Sequence, residues 1–172
     1  MNAPKQTPPA IGIAGWKNSG KTTLVTRLVQ EFTRRGLRVA TVKHAHHDFQ
    51  IDDAQSDSAR HRRAGARQVA IVSRRRWALV RELDGEPEPP LATVLSWIDP
   101  CDLVIVEGYK SAPIPKIELR RSAAHPGRRL ADEDRTVLAI AADHAIPDAG
   151  RPVFALDDIG AIADFIARTL LG

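Results

Sequence analysis

The stretch GWKNSGKTTL, from Gly15 to Leu24, constrains this chain more than any other ten residues. An apolar run, Ile11 to Ala14, precedes it, and Leu24, Leu28 and Phe32 follow at the spacing of one helical face. A strand therefore passes through a loop poor in bulky side chains and enters a helix. Gly15, Gly20, Lys21 and Thr22 satisfy the G-x-x-x-x-G-K-[ST] pattern. In that setting successive backbone N–H groups turn toward one point, and the helix N-terminus adds its positive end. A polyphosphate satisfies such a field. Glycine at 15 and 20 allows conformations and close approaches that a Cβ obstructs. Lys21 is expected to reach the β- and γ-phosphates, and the Thr22 hydroxyl to ligate Mg²⁺. Trp16, Lys17, Asn18 and Ser19 fill the variable positions and tune the site.

The remainder of the chain limits the alternatives. At 172 residues and 43% hydrophobic composition it has the length and apolar content of one domain with a substantial core. We expect a disordered tail over 1–9, where MNAPKQTPP lacks the apolar centre of a signal peptide, and a single domain over 10–172. No apolar run approaches the roughly 18 residues that cross a bilayer, which points to a cytoplasmic protein without membrane contact. The single cysteine, Cys101, heads an apolar run and is read as a packed thiol. The net charge of +4 is scattered over Arg60–Arg63, Arg74–Arg76 and Arg120–Arg129, and only 5% of residues are aromatic. Without an aromatic platform, nucleic acid is not the expected partner.

Patterning along the chain predicts strands at RVATVKH (38–44), DLVIVEG (102–108), KIELR (116–120), TVLAIAAD (136–143) and PVFAL (152–156). Helices are predicted over Ser56 to Ala66, over PPLATVLSWI, and over DDIGAIADFIARTLL, the last capped by Asp157 and Asp158. QVAIVS and WALVREL, divided by Arg74-Arg75-Arg76, read as an inserted β-hairpin. The fold class is α/β: a P-loop NTPase fold, its mostly parallel twisted sheet covered by helices on both faces. Ligands in such sheets bind at the carboxyl ends of the strands. That rule selects Gly15, Lys43-His44, Glu107-Gly108 and Asp143.

Glu107 ends a hydrophobic strand, so it could hold Mg²⁺ through a water or polarise an attacking one. Of 25 basic residues only six are lysine, and Lys17, Lys21, Lys43, Lys110 and Lys116 lie in the loop, after the second strand, or just beyond Glu107. A compact point charge for phosphate explains that placement, with Lys43 counted among the nucleotide contacts. Within KHAHHDFQIDD, His44, His46 and His47 resemble a metal cluster, while Asp48, Asp52 and Asp53 favour harder ions. Asp52 is assigned a water-mediated Mg²⁺ contact or catalytic support.

Taken together, GWKNSGKTTL, TVKHAHHDFQIDDAQSDSARHRRAGA, DLVIVEGYKSAPIPKIELRR and VLAIAAD resemble the molybdopterin-guanine dinucleotide biosynthesis protein B (MobB) family, in the same order from Ile11 to Asp143. The resemblance implies a GTP-binding, usually dimeric P-loop protein with at most slow GTP hydrolysis. Its implied role is to assist MobA, the guanylyltransferase that attaches GMP from GTP to molybdenum-bound molybdopterin. By position it makes Gly15 to Thr23 the phosphate loop, including Asn18, Ser19 and Thr23. It also makes Glu107 and Gly108 the γ-phosphate-side motif and Asp143 the reader of the guanine edge. GTP and Mg²⁺ are the implied cofactors, with molybdopterin or its guanine dinucleotide as a further ligand. Two other readings of the residues stand beside this adapter: a P-loop small-molecule kinase, and a metal-delivery GTPase built on His44, His46 and His47.

Overall fold

A computed structural model describes residues 7–45, 49, 51, 53, 55–124 and 127–172. In chain order the elements are β1 (Ala10–Gly15), α1 (Lys21–Arg34), β2 (Val39–Lys43), α2 (Asp57–Arg63), β3 (Gln68–Val72), β4 (Trp77–Arg81), α3 (Leu91–Trp97), β5 (Leu103–Glu107), β6 (Lys116–Arg120), α4 (Leu130–Glu133), β7 (Val137–Ala142), β8 (Val153–Ala155) and α5 (Ile159–Leu170). The chain divides into two compact units, Met1–His44 with Leu91–Gly172, and Ala45–Pro90.

The first unit carries a six-stranded sheet in the order β2-β5-β1-β6-β7-β8, parallel at every pairing. From β1 the chain moves one way to build β2 and β5, then the other way to build β6, β7 and β8. The carboxyl end of β1 thus lies where the strand order reverses, the position at which open α/β sheets bind ligands. Alternate side chains of each strand enter different layers. Ile11, Ile13, Leu103, Ile105, Ile117 and Leu119 pack with Leu24, Leu28 and Phe32 of α1 and Ile162 and Ile166 of α5. Val104 and Val106 face the other way, onto Leu91 and Leu95 of α3. Ala131 of α4 covers Val137 and Ile140 on a third, smaller cluster. Each fully buried Leu, Ile or Phe contributes about 1.5–3 kcal/mol by leaving water, so coverage of both faces explains why the strands read as continuous apolar runs.

Two parallel connections, Gly108–Pro115 and His144–Pro152, contain no helix. In the first, Gly12 N donates to Pro115 O at 2.8 Å as the chain crosses β1. A Cβ at Gly12 would lie 3.0 Å from Lys116 Cγ, so the glycine makes room for that buried lysine. The capping expectation resolves into separate tasks: Asp158 accepts from Ala161 N, while Asp157 pairs with Arg27 at 2.6 Å. Cys101 is partly buried, its Sγ 3.7 Å from Leu103 O. No helix of the described residues is long and apolar enough to cross a membrane.

The second unit holds α2 and the hairpin. Ser56 caps α2 by accepting from Ala59 N at 3.2 Å, and the helix stops before Gly65, whose φ is 103°. β3 and β4 pair antiparallel, Val72 against Trp77 and Ala70 against Leu79. Arg74–Arg76 form the connection, as the sequence predicts.

Candidate nucleotide-binding site

The loop from Gly15 to Gly20 bends because three of its residues can do what others cannot. A Cβ at Gly15 would lie 2.6 Å from Ser19 Oγ and 2.9 Å from Leu119 O, so β1 and β6 approach here only across a glycine. Asn18 and Gly20 are left-handed, with φ of 63° and 89°. Left-handed residues in such a turn direct successive amides into one concavity. Gly20 then starts α1 with no side-chain cap and no acidic residue in the first turn. The first four amides of a helix have no acceptor within it, and the caps present on α2 and α5 are missing here. Ser19 is 1% exposed, and its Oγ has no hydrogen-bond partner among the described residues.

Lys21 folds back over this loop, Nζ donating to Gly15 O at 3.1 Å and Trp16 O at 2.8 Å. Its pKa lies below the usual lysine range; burial is the main cause, the nearby Lys110 and Lys43 ammonium groups add to it, and Glu107 opposes it. Thr22 Oγ1 donates to Glu107 Oε1 at 2.7 Å, joining the first turn of α1 to the end of β5. Lys43 Nζ is 3.5 Å from the same oxygen, with its side chain 62% exposed. Glu107 itself is buried, and its backbone O accepts from His44 N at 2.9 Å. A Cβ on Gly108 would meet His44 Cβ at 2.9 Å, and the φ there is 92°, so glycine is required on both counts.

Asp143 follows β7 on the same edge. Its carboxylate accepts from Ser122 N at 2.8 Å and Ser122 Oγ at 3.1 Å, and lies 2.8 Å from His144 Nδ1. The His144 and Ser122 hydrogen bonds hold its pKa down at about 2, against the opposing effect of burial. Arg121 extends between Asp143, 3.8 Å away, and Gly20, where Nη1 would lie 3.7 Å from a Cβ. It borders a cleft of about 200 Å³ that includes Trp16, Ser19, Ser122 and His144. It also borders a smaller one, about 50 Å³, between Gly20, Thr23, Arg27 and Asp157.

Gly15, Asn18, Ser19, Gly20, Lys21, Thr22, Thr23, Lys43, Glu107, Gly108 and Asp143 therefore all fall on the carboxyl edge of one sheet. Asp52, His46, His47 and Asp48 lie outside the described residues. His44 stacks on Tyr109, ring centroids 4.5 Å apart, and among the described residues no group of three His, Cys, Asp or Glu is placed to hold a metal ion. Lys116 departs from the expectation. It opens β6 at the opposite edge, 1% exposed, donating to Asp134 at 2.9 Å and to Thr136. Its task is to fill the sheet, not to meet phosphate. The sequence reading missed Arg121 and Ser122 as members of the edge, and gave Trp16 only a tuning role within the loop. Only the Arg120–Arg129 charge cluster hinted at the first.

Comparison with known proteins agrees with this geometry. The family model described as MobB, molybdopterin guanine dinucleotide synthesis protein B, matches residues 10–143. The chain belongs to the MobB family. Among curated relatives, a molybdopterin-guanine dinucleotide biosynthesis adapter protein of Haemophilus influenzae is 39% identical, covering 94% of this chain and 89% of its own length. That of Escherichia coli is 37% identical, covering 93% and 92%. A crystal structure of molybdopterin-guanine biosynthesis protein B superposes with TM-score 0.73 at 30% identity, covering 94% of this chain and 99% of the other. A MobB homologue from Bacillus stearothermophilus gives 0.67 at 28%, covering 93% and 96%. The MobB family match and the parallel sheet bear out the predicted P-loop NTPase fold class with its additional hairpin.

Proposed function

We propose that this MobB-family chain is a GTP-binding adapter of molybdopterin guanine dinucleotide biosynthesis, working with a MobA-type guanylyltransferase as a homodimer and hydrolysing GTP slowly at most. One observation carries the nucleotide reading. An uncapped helix start, a left-handed loop and the Lys21 ammonium converge beside a hydroxyl–carboxylate pair, Thr22 and Glu107, 2.7 Å apart.

These residues fit a Mg²⁺-nucleotide. Thr22 Oγ1 and Glu107 Oε1 are hard oxygen donors within reach of one hard cation, which would supply charge neutralisation between the β- and γ-phosphates. The amides of Asn18 to Thr22 would hold the β-phosphate, with Lys21 shared between phosphates once it leaves the Gly15 and Trp16 carbonyls. Thr23, Arg27 and Arg121 line the small cleft where a nucleoside would continue from Gly20. Asp143 would read guanine N1–H and N2–H₂ with lone pairs beyond those engaged by Ser122, a donor pair that adenine lacks. Molybdopterin, or its guanine dinucleotide, is the further ligand suited to the larger basic cleft. The described arrangement supplies binding and positioning groups, and Glu107 is the one carboxylate placed against the phosphate side, in keeping with an adapter. Asp52 keeps its proposed supporting role toward Mg²⁺.

Calorimetric titration with GTP, GDP and ATP in Mg²⁺ tests the reading. One GTP per chain, bound more tightly than ATP, is the expected result. No binding of any of the three removes the phosphate site, and equal affinity for ATP removes the role of Asp143.

A further inference from the structure

Lys110 stands just beyond Glu107, and its ammonium lies over the Trp16 ring, 4.0 Å from the centroid. The chain takes an unusual path to put it there. After β5, Gly108 and Tyr109 are both left-handed, with φ of 92° and 48°. Tyrosine rarely adopts that conformation, and it persists here with the ring stacked on His44. Consecutive left-handed residues immediately after Glu107 turn the chain back, so that the next side chain returns to the phosphate loop.

The result is a concentration of like charge. Lys21 sits on the carbonyl of the same Trp16 whose ring carries Lys110. Lys43 stands beside Glu107. Three lysine ammonium groups, those of Lys21, Lys43 and Lys110, are thus gathered about the phosphate loop and the end of β5. Like charges gathered on one side of a cradle disfavour one another, and an anion entering between them relieves the repulsion. An aromatic face is a weak substitute for that anion.

We propose that Lys110 is a second phosphate-binding lysine that reads the terminal phosphate of a nucleoside triphosphate. On binding, its ammonium leaves the Trp16 ring for the γ-phosphate, and a diphosphate leaves it in place. Trp16 relays the difference, because its indole N–H also donates to Arg128 O at 2.9 Å and its ring occupies the space where a Cβ on Gly127 would lie. The segment after β6 is thereby connected to the number of phosphates bound. This inference rests on the nucleotide-binding reading above.

The test uses the full chain carrying Trp77→Phe and Trp97→Phe, both exposed positions, so that Trp16 is the remaining tryptophan. It is titrated in Mg²⁺ with a β,γ-imido analogue of GTP and with GDP. The analogue is expected to change Trp16 emission, and GDP to leave it unchanged. Adding Lys110→Ala should weaken the analogue roughly tenfold or more while changing GDP less than about twofold, and Lys110→Arg should restore most of the difference. Equal losses for both nucleotides, or none, assign Lys110 to packing on Trp16 and overturn the proposal. If the chain with Lys110 intact binds neither nucleotide, the nucleotide reading itself has failed, an outcome distinct from lost discrimination.

Discussion

Lys21 and Gly15 occupy the same loop but fail in different ways. The lysine touches the fold through two carbonyls, Gly15 O and Trp16 O, and most of its value lies in charge. Lys21→Ala is therefore expected to abolish measurable GTP binding by calorimetry. It should cost only about 1 kcal/mol of stability, a fall of about 2–4 °C in thermal midpoint for a chain of this size. Retained affinity would contradict the site. Gly15→Ala drives a methyl into Ser19 Oγ at 2.6 Å and Leu119 O at 2.9 Å, and Leu119 O is backbone that cannot rotate away. Overpacking of about 1–3 kcal/mol should lower the midpoint further and remove binding as well. Those two residues were legible in the sequence because a motif records local geometry. Trp16–Arg128 and Ser122–Asp143 were not, since partners 112 and 21 positions apart leave no shared pattern in a single chain. Lys116 shows the same limit from the other side: proximity to Glu107 in sequence placed it near phosphate, but it starts a strand where Glu107 ends one.

At the scale of elements, hydrophobic patterning predicted the strands and principal helices because the inner strands of the sheet are covered on two faces and the principal helices on one. The strand order was not legible, since β5 joins β1 and β2 through contacts that no local period encodes. The opening of β6 shows what such an order demands. Lys116 is buried against β1 and is neutralised by Asp134, itself held by Thr136 through N–H and hydroxyl at 2.8 and 2.6 Å. Burial opposes ionisation of Asp134, but the hydrogen bonds from Thr136 and Lys116 outweigh it and bring its pKa to about 2. A carboxylate with a lowered native pKa adds stability above its unfolded value, near 4, and that contribution is lost as pH falls from about 4 to 2. Asp134→Ala leaves the Lys116 ammonium buried with Thr136 alone, at an expected cost of about 3 kcal/mol at pH 7. Urea denaturation across pH should show the gap between wild type and variant closing below about pH 4. A gap constant down to pH 2 would mean that the ion pair is not its source.

The phosphate loop belongs to the unit of the parallel sheet, and the other unit carries several large exposed apolar side chains on its hairpin. On the hairpin, Val72 is 76% exposed, Trp77 70% and Leu79 53%. The register puts Val72 opposite Trp77 and Ala70 opposite Leu79, so these side chains lie on one face as a continuous patch, with Arg74–Arg76 at its tip. A two-stranded ribbon also has unpaired edges, and an exposed apolar face of this kind marks an interaction surface. In the homodimer proposed above, a second copy is expected to cover it. Trp77→Lys with Leu79→Lys should convert the dimer to a monomer in sedimentation velocity. Because neither substituted residue belongs to the phosphate loop, GTP affinity by calorimetry should remain within about twofold. A dimer that survives both substitutions would instead free the hairpin for the guanylyltransferase, and loss of binding to that enzyme in the same variant would identify it as the occupant.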